Sequence, residues 1–370
     1  MKIFKRSILS LTVLCLTLPS YSFIQDTVVI TSDTIPLKRN IVITGVGDIM
    51  LGSSFPSAKY LPPHDNPYLL LEELADTLRN SDITFGNLEG SFLDDGPAAK
   101  KCRDTTACYL FRMPERYITA LTATGFDVVS VANNHFGDFG MLSRKRTQEI
   151  LDSANIEFAG LIEKPWAIFD RDSVRYGFCA FAPNAGTVNI NDTVIAAAIV
   201  RMLNDSCDIV IVSFHGGAEG KDFQNLTRQS EIFYGEDRGN VYEFAHKMID
   251  CGADVVFGHG PHVVRSVEVY NERFISYSLG NFCTYGRFNL AGPNSLAPVI
   301  KINVDIQGRF ISGRIIPGIQ PWPGGVKFDP SGQVINKIRE LVAQDLPESV
   351  IDISESGRIE YKQDLKTTYK

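Results

Sequence analysis

"VVSVANNHFGDFG", Val128 to Gly140, decides how the rest of the chain is read. A short apolar run, Val128 to Ala132, breaks into two Asn, a His and an Asp set between glycines. A run of that length rich in Val reads as a buried strand, and the polar cluster falls where the strand ends. Taken singly, Asn133 and Asn134 are turn formers that tolerate left-handed backbone, and a lone His after a strand is usually structural. The pattern recurs, however. "GVGDIMLG" puts Asp48 after a strand, and "FGNLEG" does the same for Asn87 and Glu89. "IVSFHGGAE" presents His215 and Glu219, and "FGHGPHV" presents His259 and His262.

Around these clusters, strands and helices alternate. "NIVITGVG", "DITFGN", "DVVSVA", "VRYGFCAFA", "DIVIVSF" and "ADVVFG" read as strands. Between them lie a helix opened by Pro67 with a Leu70, Leu71, Leu74, Leu78 stripe, a short one at "PERYITALTATG", and others near 142–153, 194–203 and 241–249. Two hairpins follow, turning at Asn271–Glu272 and at Gly308, and "INKIRELVAQDL" reads as a terminal helix before a polar tail. This order predicts one α/β domain over 40–318 whose mixed sheets are completed by antiparallel strands, with 319–370 as an appended helix and tail.

In α/β sheets the carboxyl ends of the strands converge on one edge, where ligands bind. Five runs ending in carboxylate, amide or imidazole therefore predict one shared site. Four of the six His lie in these clusters; His64 in a Pro-rich loop and His246 within a helix read as structural. Imidazole, carboxylate and amide oxygen without thiolate suit Mn²⁺, Fe or Zn²⁺ rather than Ca²⁺. The candidate ligands outnumber what one tetrahedral ion uses, so two divalent metal ions sharing a carboxylate are expected, activating a water for hydrolysis. His135, beside Asn134, is the expected acid, with Asp138 as the second catalytic candidate.

The N-terminus differs in kind. Lys2, Lys5 and Arg6 precede an apolar run, Ile8 to Leu18, and small residues around Ser20 and Ser22, the layout of a signal peptide over 1–22. Residues 23–39 read as a flexible lead-in. The expectation is export to the periplasm, cell surface or medium, with no transmembrane helix in the mature chain; Cys15 raises a lipid anchor as an alternative. Losing the leader removes three positive charges and no negative ones, taking the formal charge from −7 to −10. An acidic chain without basic clusters argues against nucleic acid as a partner. Cys102 and Cys108 lie in a polar loop at a spacing that would close a small disulfide after export.

"GDIMLG", "NLEG", "ANNHFGDFG", "HGGAE", "GADVVFGHGPHV" and "YSLGNF", in this order, resemble the CapA family of bacterial poly-γ-glutamate capsule proteins, itself similar to calcineurin-like metallophosphoesterases. The likeness runs from about Asn40 to Ile316. It implies a four-layer α/β/β/α sandwich of two mixed sheets with metals at one edge. Asp48, Glu89, Asn134, His215, His259 and His262 match the metal-binding positions, Glu89 in the bridging place, and His135 matches the acid. The chain departs from the wider pattern at Met50, where a His is usual, at Gly260 and Pro261, which widen the last His pair, and at Gly216, where CapA-like chains carry an aromatic. The resemblance implies a metal-dependent protein acting on an anionic polymer or its precursors, alone or in a capsule synthesis complex. Hydrolysis or transfer at a γ-glutamyl amide or phosphate ester is the expected chemistry. An ordinary metallophosphoesterase and a non-enzymatic assembly or export factor are the other readings. For phosphate handling, Arg144, Lys145 and Arg265 are the nearest cations in sequence.

Overall fold

The computed structural model describes residues 40–101 and 109–363. The expected leader, lead-in, Cys15 anchor and Cys102–Cys108 pairing lie outside the described residues.

Strands Ile41–Met50 (β1), Ile83–Leu88 (β2), Val128–Ser130 (β3) and Glu157–Ala159 (β4) pair in parallel in chain order. The chain then builds a second sheet from Trp166–Arg171 (β5), Val174–Phe181 (β6), Ile209–His215 (β7), Val255–His259 (β8), Val267–Tyr270 (β9) and Arg273–Ser276 (β10). Its order is β9-β10-β8-β7-β6-β5. The inner pairs are parallel, and β5 and β9 are antiparallel edges. Returning to the first sheet, Asn281–Thr284 (β11) lies parallel to the end of β1. Val299–Val304 (β12) and Phe310–Ile316 (β13) then extend it antiparallel.

Side-chain alternation explains the layering. In β7, Ile209 and Ile211 point to one face and Val210 and Val212 to the other, and all four are buried. The first pair joins Ile41, Ile43, Ile83, Phe85, Tyr176, Phe178, Val255 and Phe257 in a core between the sheets. The second pair packs under the helices Thr193–Asn204 (α4) and Val241–Asp250 (α5), against Ala196, Val200, Leu203, Phe244 and Met248. On the far side of the first sheet, Ala75–Arg79 (α1), Ile118–Ala123 (α2) and Gly140–Ser153 (α3) cover Val46, Ile49, Leu88 and Val129. The result is α/β/β/α, as the family resemblance implied. Strands buried on both faces need continuous apolar runs, and "DIVIVSF" supplies one.

Both hairpins form as read, with positive φ at Asn271, Glu272 and Gly308. Two expectations are corrected. The Leu70, Leu71, Leu74, Leu78 stripe is buried against the first sheet, but Leu70 and Leu74 lie on successive 3₁₀ turns, Pro67–Leu70 and Glu72–Leu74, with Leu71 between them and Leu78 alone on the short α1. Nor does the folded domain stop at 318. Gln333–Asp345 (α6) feeds Val334, Ile338 and Leu341 into the inter-sheet core. Ile351–Ile353 (β14) and Arg358–Tyr361 (β15) then form the edge of the first sheet, β15 pairing β13. Among the described residues, no helix is long and apolar enough to cross a membrane.

Candidate metal centre at the strand ends

Parallel register aligns the polar residues before any side chain is considered. Asp48 is level with Asn87 of β2 and Asn281 of β11, and His215 of β7 is level with His259 of β8. Beneath them Phe85 and Phe257 stack across the two sheets, centroids 5.2 Å apart, and Phe85 also packs on His259 at 5.5 Å. Close backbone approach completes the setting. Asp48 N donates to Gly280 O at 2.9 Å, and a Cβ on Gly47 would stand 2.0 Å from that carbonyl. The oxygen is backbone and cannot step aside, so Gly47→Ala is expected to destabilise the fold by about 2 kcal/mol or more, read by urea titration.

Asp48 lies at the hub and is fully buried. Its Oδ1 accepts from Asn87 Nδ2 at 2.8 Å and lies 3.3 Å from His259 Nδ1, while Oδ2 pairs with His262 Nδ1 at 2.8 Å. Asn87 Nδ2 also reaches Glu89 Oε2 at 2.6 Å, and that oxygen lies 3.6 Å from His215 Nδ1. Asn133 donates to Asn87 Oδ1 and Leu88 O, and its own Oδ1 accepts the N–H groups of His135 and Phe136. Asn133 thus ties the Asn-Asn-His loop to β2. His262, at φ 57, has its carbonyl held by Asn281 and Asn294, each at 3.2 Å.

His135 and Asp138 form a separate pair, Nδ1 to Oδ2 at 2.8 Å. Asp138 also accepts Phe111 N at 2.9 Å and faces Lys100 Nζ at 3.2 Å. Rings join this pair to the hub: His135 packs on Phe111 at 4.2 Å, Phe111 stacks on Phe288 at 4.9 Å, and Phe288 meets His262 at 5.6 Å.

Charge and burial divide the acids. Burial opposes ionisation of Asp48, but the close contacts and charges of His259 and His262 outweigh it and hold its carboxyl far below the usual range. Burial, then the Asp48 charge, pushes Glu89 up to about 8. His262 is raised to about 10 by Asp48 against the cost of its burial. Burial lowers His135 and, with the nearby Arg238 charge, takes His215 well below its ordinary value.

The donor set fits a divalent cation on one observation. Glu89 Oε1, Asn134 Oδ1 and both ring nitrogens of His215 and of His259 are buried without a hydrogen-bond partner. Native interiors rarely leave such atoms unpaired, and these are cation ligands by chemistry. The side chains do not form a finished cage: among the described residues no group of three His, Cys, Asp or Glu is arranged to hold an ion.

The cations singled out in sequence are each engaged by other partners. Arg265 is fully buried and forks onto Glu231 at 2.8 and 2.7 Å, pinning the loop after His215 through Ala218. Arg144 donates to Ala185 O and Lys145 pairs with Glu149 on α3. Arg265→Met strands the Glu231 carboxylate and is expected to cost about 3 kcal/mol or more at neutral pH, measured by urea denaturation. Arg265 overcomes the burial of Glu231 and lowers its carboxyl. The pair's contribution is therefore complete above the unfolded carboxylate range and is lost as pH falls through the lower folded value, so the variant's deficit shrinks in acid. Sequence reasoning gave no role to Arg238, Asn281, Asn294, Lys100, Phe111 or Phe288. Only Asn281 carried a signal, within "YSLGNF".

Two mixed sheets between helical layers, with His, Asp, Glu and Asn donors at the parallel strand ends, define a four-layer α/β/β/α protein with its polar centre at one edge. The chain belongs to the family described as Bacterial capsule synthesis protein PGA_cap, whose sequence pattern matches residues 42–285. It is 27% identical over 270 residues to the capsule biosynthesis protein CapA of Bacillus anthracis, covering 66% of this chain and 60% of that one. Over 256 residues it is 27% identical to the PGA biosynthesis protein CapA of Bacillus subtilis (strain 168), covering 64% and 61%. The matched region thus spans less than two thirds of either relative. Among solved structures, the NAD nucleotidase of Haemophilus influenzae aligns with 82% of this chain and 56% of its own, at 11% identity and TM-score 0.40.

Proposed function

We propose that the protein is an exported, metal-dependent hydrolase or transferase of capsule poly-γ-glutamate metabolism, acting at a γ-glutamyl amide or phosphate ester. The observation that carries this reading is the set of buried, partnerless donors at the strand ends beside the His135–Asp138 pair. Asp48, Glu89, Asn134, His215, His259 and His262 are the residues that would hold divalent ions, Mn²⁺, Fe or Zn²⁺, in a pair. Ions bound there supply Lewis-acid activation of water and neutralise developing charge.

The chain's own residues divide the remaining work. Asp138 accepts from His135 Nδ1 and fixes the ring, which leaves Nε2 as the atom that exchanges a proton with the substrate. Lys100 and the Phe111 N–H hold Asp138 in place. Phe111 and Phe288 link His135 to His262 through a continuous run of packed rings.

The test is metal analysis of the purified protein with parallel assays on a phosphodiester and on γ-glutamyl peptides. About two Mn, Fe or Zn per chain with turnover of the peptide is the expected result. Turnover of the phosphodiester alone would move the protein to the ordinary metallophosphoesterases. Metal without turnover of either would leave an assembly factor, and no metal would defeat the proposal.

A further inference from the structure

We propose that Arg238 supplies the anion-recognising donor of this centre, its Nη2 taking an anionic oxygen of the substrate beside His215 and His259. This rests on the substrate-processing reading above and names the chemistry that the site selects.

Arg238 is 3% exposed. Its Nε donates to Gly217 O at 3.1 Å, and Nη1 lies 3.0 Å from Glu219 and 3.2 Å from Glu236. Asn184 holds the other oxygen of Glu236 at 3.2 Å, so one edge of the guanidinium is fixed by its neighbours. The other edge is not: Nη2 is buried with no hydrogen-bond partner. A buried charged donor left unpaired is costly, so a partner at that position is worth more than a surface contact.

Two glycines show where this edge lies. A Cβ on Gly260, the residue after His259, would stand 3.1 Å from Arg238 Nη2 and 2.6 Å from Gly216 O. A Cβ on Gly216, the residue after His215, would stand 2.7 Å from Arg238 O. Side chains at either place would drive Arg238 off the two His. The absence of a side chain at Gly216 and Gly260 therefore leaves room for Arg238 at this site.

The surrounding charge makes the residue necessary. Asp48 and Glu219 repel an anionic substrate, and the nearby cations are occupied, Lys100 by Asp138 and Arg265 by Glu231. A glutamyl carboxylate and a phosphoryl group offer the same kind of oxygen to Nη2, and binding separates them.

Full-length wild-type and Arg238→Gln protein are titrated calorimetrically with a γ-glutamyl tetrapeptide, its carboxamide analogue and inorganic phosphate, with and without Mn²⁺. For a carboxylate, the wild type prefers the acid peptide to the carboxamide by about tenfold or more, and the variant loses that preference. For a phosphoryl oxygen, the variant instead loses about tenfold or more in phosphate affinity. A merely structural Arg238 would weaken all probes alike and leave the ratios unchanged. That outcome overturns the proposal, as does a wild type that binds neither anion selectively. Mn²⁺ uptake is read on the same samples: its absence in the wild type defeats the metal reading, while the metal-free titrations still report on Arg238. Should the Gln variant not fold, Arg238→Lys keeps the charge but lacks the Nη2 donor. Its selectivity is expected to fall several-fold, and full selectivity in a folded Lys variant overturns the proposal.

Discussion

Asp48→Asn is expected to weaken divalent-cation binding by about two orders of magnitude or more and to remove turnover, with the protein still folded. Asp48 touches both halves of the centre: His259 and His262 from the second sheet, Asn87 from the first. The amide has nearly the same volume, so the packing over Phe85 and Phe257 is preserved. What changes is charge. His262, raised to about 10 by this carboxylate, would lose its counter-ion, and a cation would lose its strongest anionic ligand. Isothermal titration with Mn²⁺ measures the first effect and a thermal melt checks the fold. Affinity within about threefold of wild type would remove Asp48 from the ligand set.

His135→Ala is expected to lower turnover by about 10²- to 10⁴-fold while metal content stays at the wild-type level. His135 contacts Asp138 and the Phe111 ring, and its backbone N–H bonds Asn133. Substitution keeps the backbone bond, so Asn133 still holds the loop to β2. Loss of metal together with turnover would make His135 a ligand instead of a proton carrier. Undiminished function would favour the assembly-factor reading, in which no proton is transferred.

The strand ends were legible because burial on both sheet faces demands continuous apolar runs, and the residues that end them stand out. "DIVIVSF" before His215 and "ADVVFG" before His259 show this directly. Which donors touch was not legible, since it depends on register: Asp48 meets Asn87 and Asn281 only once β1, β2 and β11 align. Arg238 lies in a polar stretch, "GEDRGN", with no periodicity, and tertiary packing alone brings it to His215. The tail carries a strand signal of its own. Ile351, Ile353, Ile359 and Tyr361 alternate with polar residues, the pattern of an edge hairpin turning at Gly357. The Leu70–Leu78 stripe misled in the opposite sense: its spacing buries equally well from consecutive 3₁₀ turns, and Pro67 and Asn66 open such a turn.

The centre itself is tested most directly by anomalous scattering from crystals of the protein grown with Mn²⁺. The expected map has density between Asp48, Glu89, His215 and His259, within bonding distance of their oxygen and nitrogen atoms, and no such density in Asp48→Asn crystals. A fully occupied crystal with Mn²⁺ elsewhere, or with none bound, would contradict a cation centre at these strand ends.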